Sequence, residues 1–264
     1  MPSLPISAAV HVPVLANVKV LPPKGLNTSI YLDLNRLSRH SAWAHGFMHD
    51  YALWLGPVLL TVTFFAVYGV IWWRRAARPA GLMILGGAAT VAALGLNQLV
   101  GHAAQELRPY DSHPTALVLV GKTTDYSFPS DHSVIAGALI TAVALLLGGA
   151  VWRGWRTATE TSGQRGAAVP RPGAVAVGVA ANVVFGLFLC FARVYVGAHY
   201  PGDVVAGLLL GAVVVAVASL LRPIVYRLAD LVEPTVLGVV LCRPSPAAPV
   251  APGPGMAVER RSAV

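Results

Sequence analysis

Arg108, Ser130, His132, Arg193, His199 and Asp203 stand out because their types and spacing suit chemistry on phosphate. They fall in three polar clusters: Arg108-Pro109-Tyr110-Asp111, Ser127-Phe128-Pro129-Ser130-Asp131-His132, and the run from Arg193 to Asp203. Arg108 and Arg193 carry planar, permanently charged forks that match phosphate oxygens two at a time. Ser130 follows Pro129 where a helix is expected to start, so its hydroxyl and the unpaired N–H groups of the first turn are candidate donors to an anion. His199 and Asp203 lie four residues apart around a Pro-Gly turn. The carboxylate can then take the Nδ1 proton and leave Nε2 free to attack phosphorus. His132 remains as acid for the leaving oxygen and as base for a hydrolytic water. Taken singly, His132, His199, Asp203, Arg108 and Arg193 would each read as a helix-end anchor or a surface charge pair; it is their joint order and spacing that point to catalysis. A metal site on His132, His199 and Asp203 is disfavoured by its chemistry: hard cations want more carboxylates, and zinc a third His or a Cys. His40, His45, His49 and His113 read as interfacial residues without a direct role.

The elements that must bring these clusters together are apolar. Of the 264 residues, 56% are hydrophobic and 11% charged, too little polar surface to cover a soluble globule. Five uncharged stretches, Tyr51 to Trp73, Gly81 to Val100, Ser133 to Trp152, Ala174 to Ala192 and Val204 to Leu221, approach the roughly 20 residues needed to cross a bilayer. Backbone groups unpaired in lipid make these helices, so the fold class is all-α: a polytopic helical bundle. Leu32 to Asp50 mixes apolar residues with charges and histidines and reads as an interfacial amphipathic helix. Residues 1–31 read as an irregular segment without the features of a signal peptide, 32–242 as the membrane domain, and 243–264 as a disordered Pro/Ala-rich tail.

Arg74, Arg75 and Arg78, then Arg153, Arg156, Arg165 and Arg171, then Arg222 and Arg227 follow the first, third and fifth spans. They mark one side as cytoplasmic and place all three polar clusters at the outer surface of a multi-pass cell-membrane protein. The net charge of +8 is therefore a topology signal; no basic stripe with interleaved aromatics points to nucleic acid. Cys190 and Cys242 form neither a disulfide framework nor a zinc site. Gly207 and Gly211, and likewise Gly86 and Gly87, read as helix-packing positions.

The three clusters resemble the signature motifs of the type 2 phosphatidic acid phosphatase family. Arg108-Pro109 matches the end of its first motif, Pro129-Ser130-x-His132 the second, and Arg193, five residues, His199, three residues, Asp203 the third. The resemblance covers Arg108 to Asp203. It implies a two-step phosphoryl transfer through a phosphohistidine with no metal or other cofactor. His199 would be the nucleophile, Asp203 its orienting partner and His132 the acid, while Arg108, Ser130 and Arg193 bind phosphate. Three positions depart from the family. Gly101 stands where it usually has Lys, with Gln98, His102 and Lys122 as candidates to replace the charge. Ala192 replaces Ser. Asp131 replaces Gly, and Pro-Ser-Asp-His looks like the branch of bacterial undecaprenyl-diphosphate phosphatases. The implied reaction is hydrolysis of undecaprenyl diphosphate to the monophosphate, recycling a carrier of cell-wall building blocks. The alternatives are phosphatidic acid, phosphatidylglycerol phosphate or another prenyl phosphate as substrate, or a lipid-phosphate binder or transporter without turnover.

Overall fold

A computed structural model describes residues 25–73, 76–147 and 172–243. Among the described residues the secondary structure is entirely helical. Helix α1 is Leu26–His40 and α2 His45–Asp50; a π-helical turn, Tyr51–Leu55, leads directly into α3, Gly56–Trp73. Then come α4 (Ala77–Ala104), the short α5 (Pro109–Ser112), α6 (Asp131–Leu147), α7 (Pro172–Tyr195), α8 (Pro201–Ala218) and α9 (Arg222–Val232). Four helical stretches are long and apolar enough to cross a membrane: Ala42–Trp73, Ala77–Ser112, Val177–Tyr195 and Pro201–Val232. The fifth expected span is α6, equally apolar, whose predicted end at Trp152 lies outside the described residues. Val62, Phe65, Val91, Val184 and Leu209 stay exposed along these helices, as side chains facing lipid must.

Two boundaries differ from the sequence reading. Helix α1 starts at Leu26, so the expected irregular segment 1–31 gives up its last residues, and the single amphipathic helix over 32–50 is broken at Ser41. The break has a cause. Ser41 turns its hydroxyl back to the Leu37 carbonyl (2.7 Å) and to the Tyr195 hydroxyl (2.6 Å), which competes with helix continuation. The spans also outrun their uncharged cores: α7 continues through Arg193 and α8 starts before Asp203, because both polar side chains are buried and bonded inside the protein. The expected disordered tail lies, from residue 244 on, outside the described residues.

The chain forms two compact units. One comprises Met1–Pro57, Ala93–Gly137 and Gly186–Gly211 and holds all three polar clusters. Within it α1 binds the loops that carry the chemistry. Asn35 donates from Nδ2 to the Leu117 carbonyl (2.7 Å) and accepts the Leu117 N–H at Oδ1 (3.0 Å), while Asn27 Oδ1 accepts the Gly202 N–H (2.8 Å). Tyr31 is fully buried between His113 and Tyr200, with ring centroids at 6.0 and 5.2 Å. Helices α6 and α8 meet at backbone distance: a Cβ on Gly207 would sit 2.6 Å from the Ser130 carbonyl oxygen, and one on Gly137 would run into the Leu208 carbonyl. Gly→Ala inside a helix ordinarily gains about 1 kcal/mol. At Gly137 the obstacle is backbone, which cannot swing aside, so overpacking reverses the sign and Gly137→Ala costs about 1–3 kcal/mol. A thermal melt in detergent reads this as a lowered midpoint; a raised one would refute the close approach.

The second unit, Val58–Ala92, Ala138–Phe185 and Ala212–Val264, is tied by a bidentate pair, Arg78 Nε and Nη2 on Asp230, both 2.7 Å. Its C-terminal 3₁₀ turn, Val236–Val240, is held by Trp72, which donates from Nε1 to the Val239 carbonyl (2.6 Å), and by Tyr68, which donates to the Val240 carbonyl. Arg243 stacks on Trp73 at 4.2 Å.

Candidate active site

The loop between α7 and α8 carries His199 into the interior, where it is 2% exposed. Its Nδ1 lies 2.9 Å from the Ser127 carbonyl oxygen, which can only accept, so the proton sits on Nδ1 and Nε2 keeps its lone pair. Two guanidinium groups converge on that lone pair: Arg108 Nη1 at 3.3 Å and Arg193 Nη2 at 3.2 Å. Arg108 is aimed by its neighbours. It donates from Nη1 to the Ala198 carbonyl (3.1 Å), from Nη2 to Asp125 Oδ2 (2.9 Å) and from Nε to the Asp125 carbonyl (3.3 Å). Burial pushes the Asp125 carboxyl up, but hydrogen bonds from Thr123 and Arg108 and the Arg108 charge outweigh it and hold the group below its ordinary range. It stays ionised and keeps the fork in place. Arg193 donates from Nη1 to the Ala52 carbonyl (3.3 Å).

Asp203 is placed differently from the sequence expectation. Its Oδ2 is 3.5 Å from His199 Nδ1, within ion-pair reach but beyond the Ser127 carbonyl that takes the proton. The same oxygen accepts the Ser127 hydroxyl and the Tyr200 N–H (2.9 Å). Asp203 thus pairs with His199 and also holds Ser127 and the turn. Ser127 was visible in the sequence only as the start of a cluster, and Asp125 not at all; partners chosen across loops leave no periodic signal.

Arg108, His132, Arg193 and His199 line one cavity of about 430 Å³, together with Asn97, Gln98, His102 and Asp131. Ser130 is brought near but not into this cavity: its N–H donates to the Asp203 carbonyl (3.1 Å) and its buried hydroxyl has no partner. The free N–H groups at the start of α6 thus belong to Asp131 and His132. Of the candidates for the missing charge near Gly101, His102 lines the cavity, while Lys122 lies outside its wall with its ammonium 5.5 Å from the Tyr110 ring centroid. Gln98 is used by Asp131, whose Oδ1 accepts from Gln98 Nε2 (3.0 Å) and Asn97 Nδ2 (2.6 Å).

Burial, then the charges of Arg193 and Arg108, hold the His199 imidazole well below its ordinary pKa. A depressed value means that the neutral form persists as pH falls. In the ligand-free protein the ¹⁵N shifts of His199 should remain those of a neutral Nδ1–H tautomer at pH 6, and adding phosphate should raise the titration midpoint by offsetting both guanidinium charges. A midpoint near 6.5 without ligand would contradict the burial.

The PAP2 superfamily matches residues 81–227. The chain is 28% identical over 198 residues to undecaprenyl-diphosphatase BcrC of Bacillus subtilis (strain 168), covering 73% of this chain and 83% of that protein. It is 31% identical over 121 residues to an undecaprenyl-diphosphatase of Sulfolobus acidocaldarius, covering 46% of each. No solved structure matches it. With a family match over more than half its length and apolar helices long enough to span a bilayer, the chain belongs to the PAP2 superfamily and is a multi-pass membrane phosphatase.

Proposed function

We propose that this phosphatase hydrolyses undecaprenyl diphosphate to undecaprenyl phosphate at the outer face of the cell membrane, through a phosphohistidine on His199. The observation that carries the reading is the convergence of the Arg108 and Arg193 forks on the lone pair of His199 Nε2. An anion drawn to those forks is delivered to a nucleophile already in the right tautomer. In the first step Nε2 bonds to the terminal phosphorus and the bridging P–O bond breaks, releasing the prenyl monophosphate. Water then attacks the same phosphorus, the N–P bond breaks, and inorganic phosphate leaves. His132, on the same cavity wall, gives a proton to the leaving oxygen and takes one from the water. Arg108 and Arg193 hold the phosphoryl oxygens, aided by the free N–H groups at the start of α6. Two relatives bearing the undecaprenyl-diphosphatase name support the substrate. The arginine groups after alternate spans support the outward orientation.

The test is phosphate release by purified protein in detergent with EDTA, comparing undecaprenyl diphosphate with phosphatidic acid and phosphatidylglycerol phosphate. The reading expects release that survives EDTA and favours the prenyl diphosphate. Preference for a phospholipid keeps the chemistry and overturns the substrate; loss in EDTA overturns metal independence.

A further inference from the structure

The first membrane-crossing stretch contributes to the site in a way that its side chains do not announce. At Tyr51–Leu55 the helix widens to a π turn, and the Gly56 N–H bonds to the Tyr51 carbonyl, five residues back. Pro57 follows and has no N–H to give. The Ala52 carbonyl then finds no backbone donor at either its fourth or its fifth neighbour. A carbonyl left unpaired in a buried helix costs free energy until another donor meets it. The donor that arrives is a side chain of the site: Arg193 Nη1 on the Ala52 carbonyl (3.3 Å). Gly56 is part of the same device, since a Cβ there would sit 2.8 Å from the Tyr51 carbonyl oxygen, 2.8 Å from Leu189 Cδ1 and 2.9 Å from Tyr51 Cε1.

We infer that Gly56 and Pro57 are positioning residues for the phosphatase reaction. By withholding a helical donor, Pro57 leaves exposed the Ala52 carbonyl that aims Arg193 at the phosphate, and Gly56 lets the widened turn form. The π turn is thus a functional bulge and not a packing accident. Both residues lie outside the stretch matched by the superfamily, 81–227. The inference rests on the reading that Arg193 acts on phosphate.

The experiment separates the proline ring from the missing N–H. Pro57→Ala restores the N–H; replacing Pro57 by lactic acid, through nonsense suppression, installs the same methyl group on a backbone ester with none. Each protein is assayed for lipid-phosphate turnover and for orthovanadate affinity, with its thermal midpoint as the fold control and Pro57→Ser as a second N–H-bearing variant should alanine not fold. Pro57→Ala is expected to lower kcat at least about tenfold and weaken vanadate severalfold, while the ester stays within about threefold of wild type. Alanine and ester variants that behave alike, whether both active or both impaired, would overturn the inference. Absence of wild-type turnover on every lipid would remove the functional reading, and the vanadate comparison would still decide this one.

Discussion

Alanine at His199 is expected to reduce phosphate release to background, a loss of at least about 10⁴-fold in kcat, because His199 Nε2 is the atom on which the two guanidinium groups converge. The same residue gives the more direct readout. Wild-type protein mixed with ³²P-labelled substrate and quenched in alkaline denaturant should carry label that acid removes, the behaviour of a phosphoramidate and not of a phosphoserine. His132→Ala should lengthen the life of that label, since the base for its hydrolysis is gone, and His199→Ala should never acquire it. Acid-stable label, or turnover surviving in His199→Ala, would sink the nucleophile.

Arg193→Lys should cost about 10²–10³ in kcat/KM, the loss typical of removing one preorganised donor to transition-state charge. The substitution keeps the charge, so what it tests is shape. The Arg193 fork spans the Ala52 carbonyl and His199 Nε2 with two separate N–H groups in one buried plane, and a single ammonium on a flexible stem cannot hold both. Arg108→Lys should also be damaging but less so. Its Nη2 faces Asp125, whose side chain is 60% exposed, and an ammonium can still reach that carboxylate at the edge of the site. Steady-state kinetics of the two variants side by side check the ranking, and equal losses would mean that the forks are interchangeable.

Much of this was legible in the sequence, for identifiable reasons. Uncharged runs near the length of a bilayer leave helices as the only way to pair their backbones, so the all-α class and the approximate spans followed without tertiary information. The clusters around Arg108, His132 and His199 were legible because side chains so costly to place in an apolar chain stand out in its composition. Helix ends were less so. Arg193 and Asp203 read as boundaries when judged by charge, yet both lie inside helices, because buried hydrogen bonds decide whether a polar residue ends a span.

The identity of the partners was not legible. The sequence paired Asp203 with His199, and Oδ2 does lie 3.5 Å from Nδ1, but only folding set the Ser127 carbonyl nearer to Nδ1 and gave Asp203 the Ser127 hydroxyl and the Tyr200 N–H as further partners. Ser130, at the right place in its motif, spends its N–H on the Asp203 carbonyl, and α1 reaches the site region through Asn27 and Asn35, residues whose types say nothing of what they bind. Local sequence determines which backbone groups lack helical partners, as it does at Pro57; which side chain arrives to satisfy them depends on contacts between distant segments, 141 residues apart for Arg193 and Ala52 and 175 for Asn27 and Gly202, and those exist only once the chain has packed.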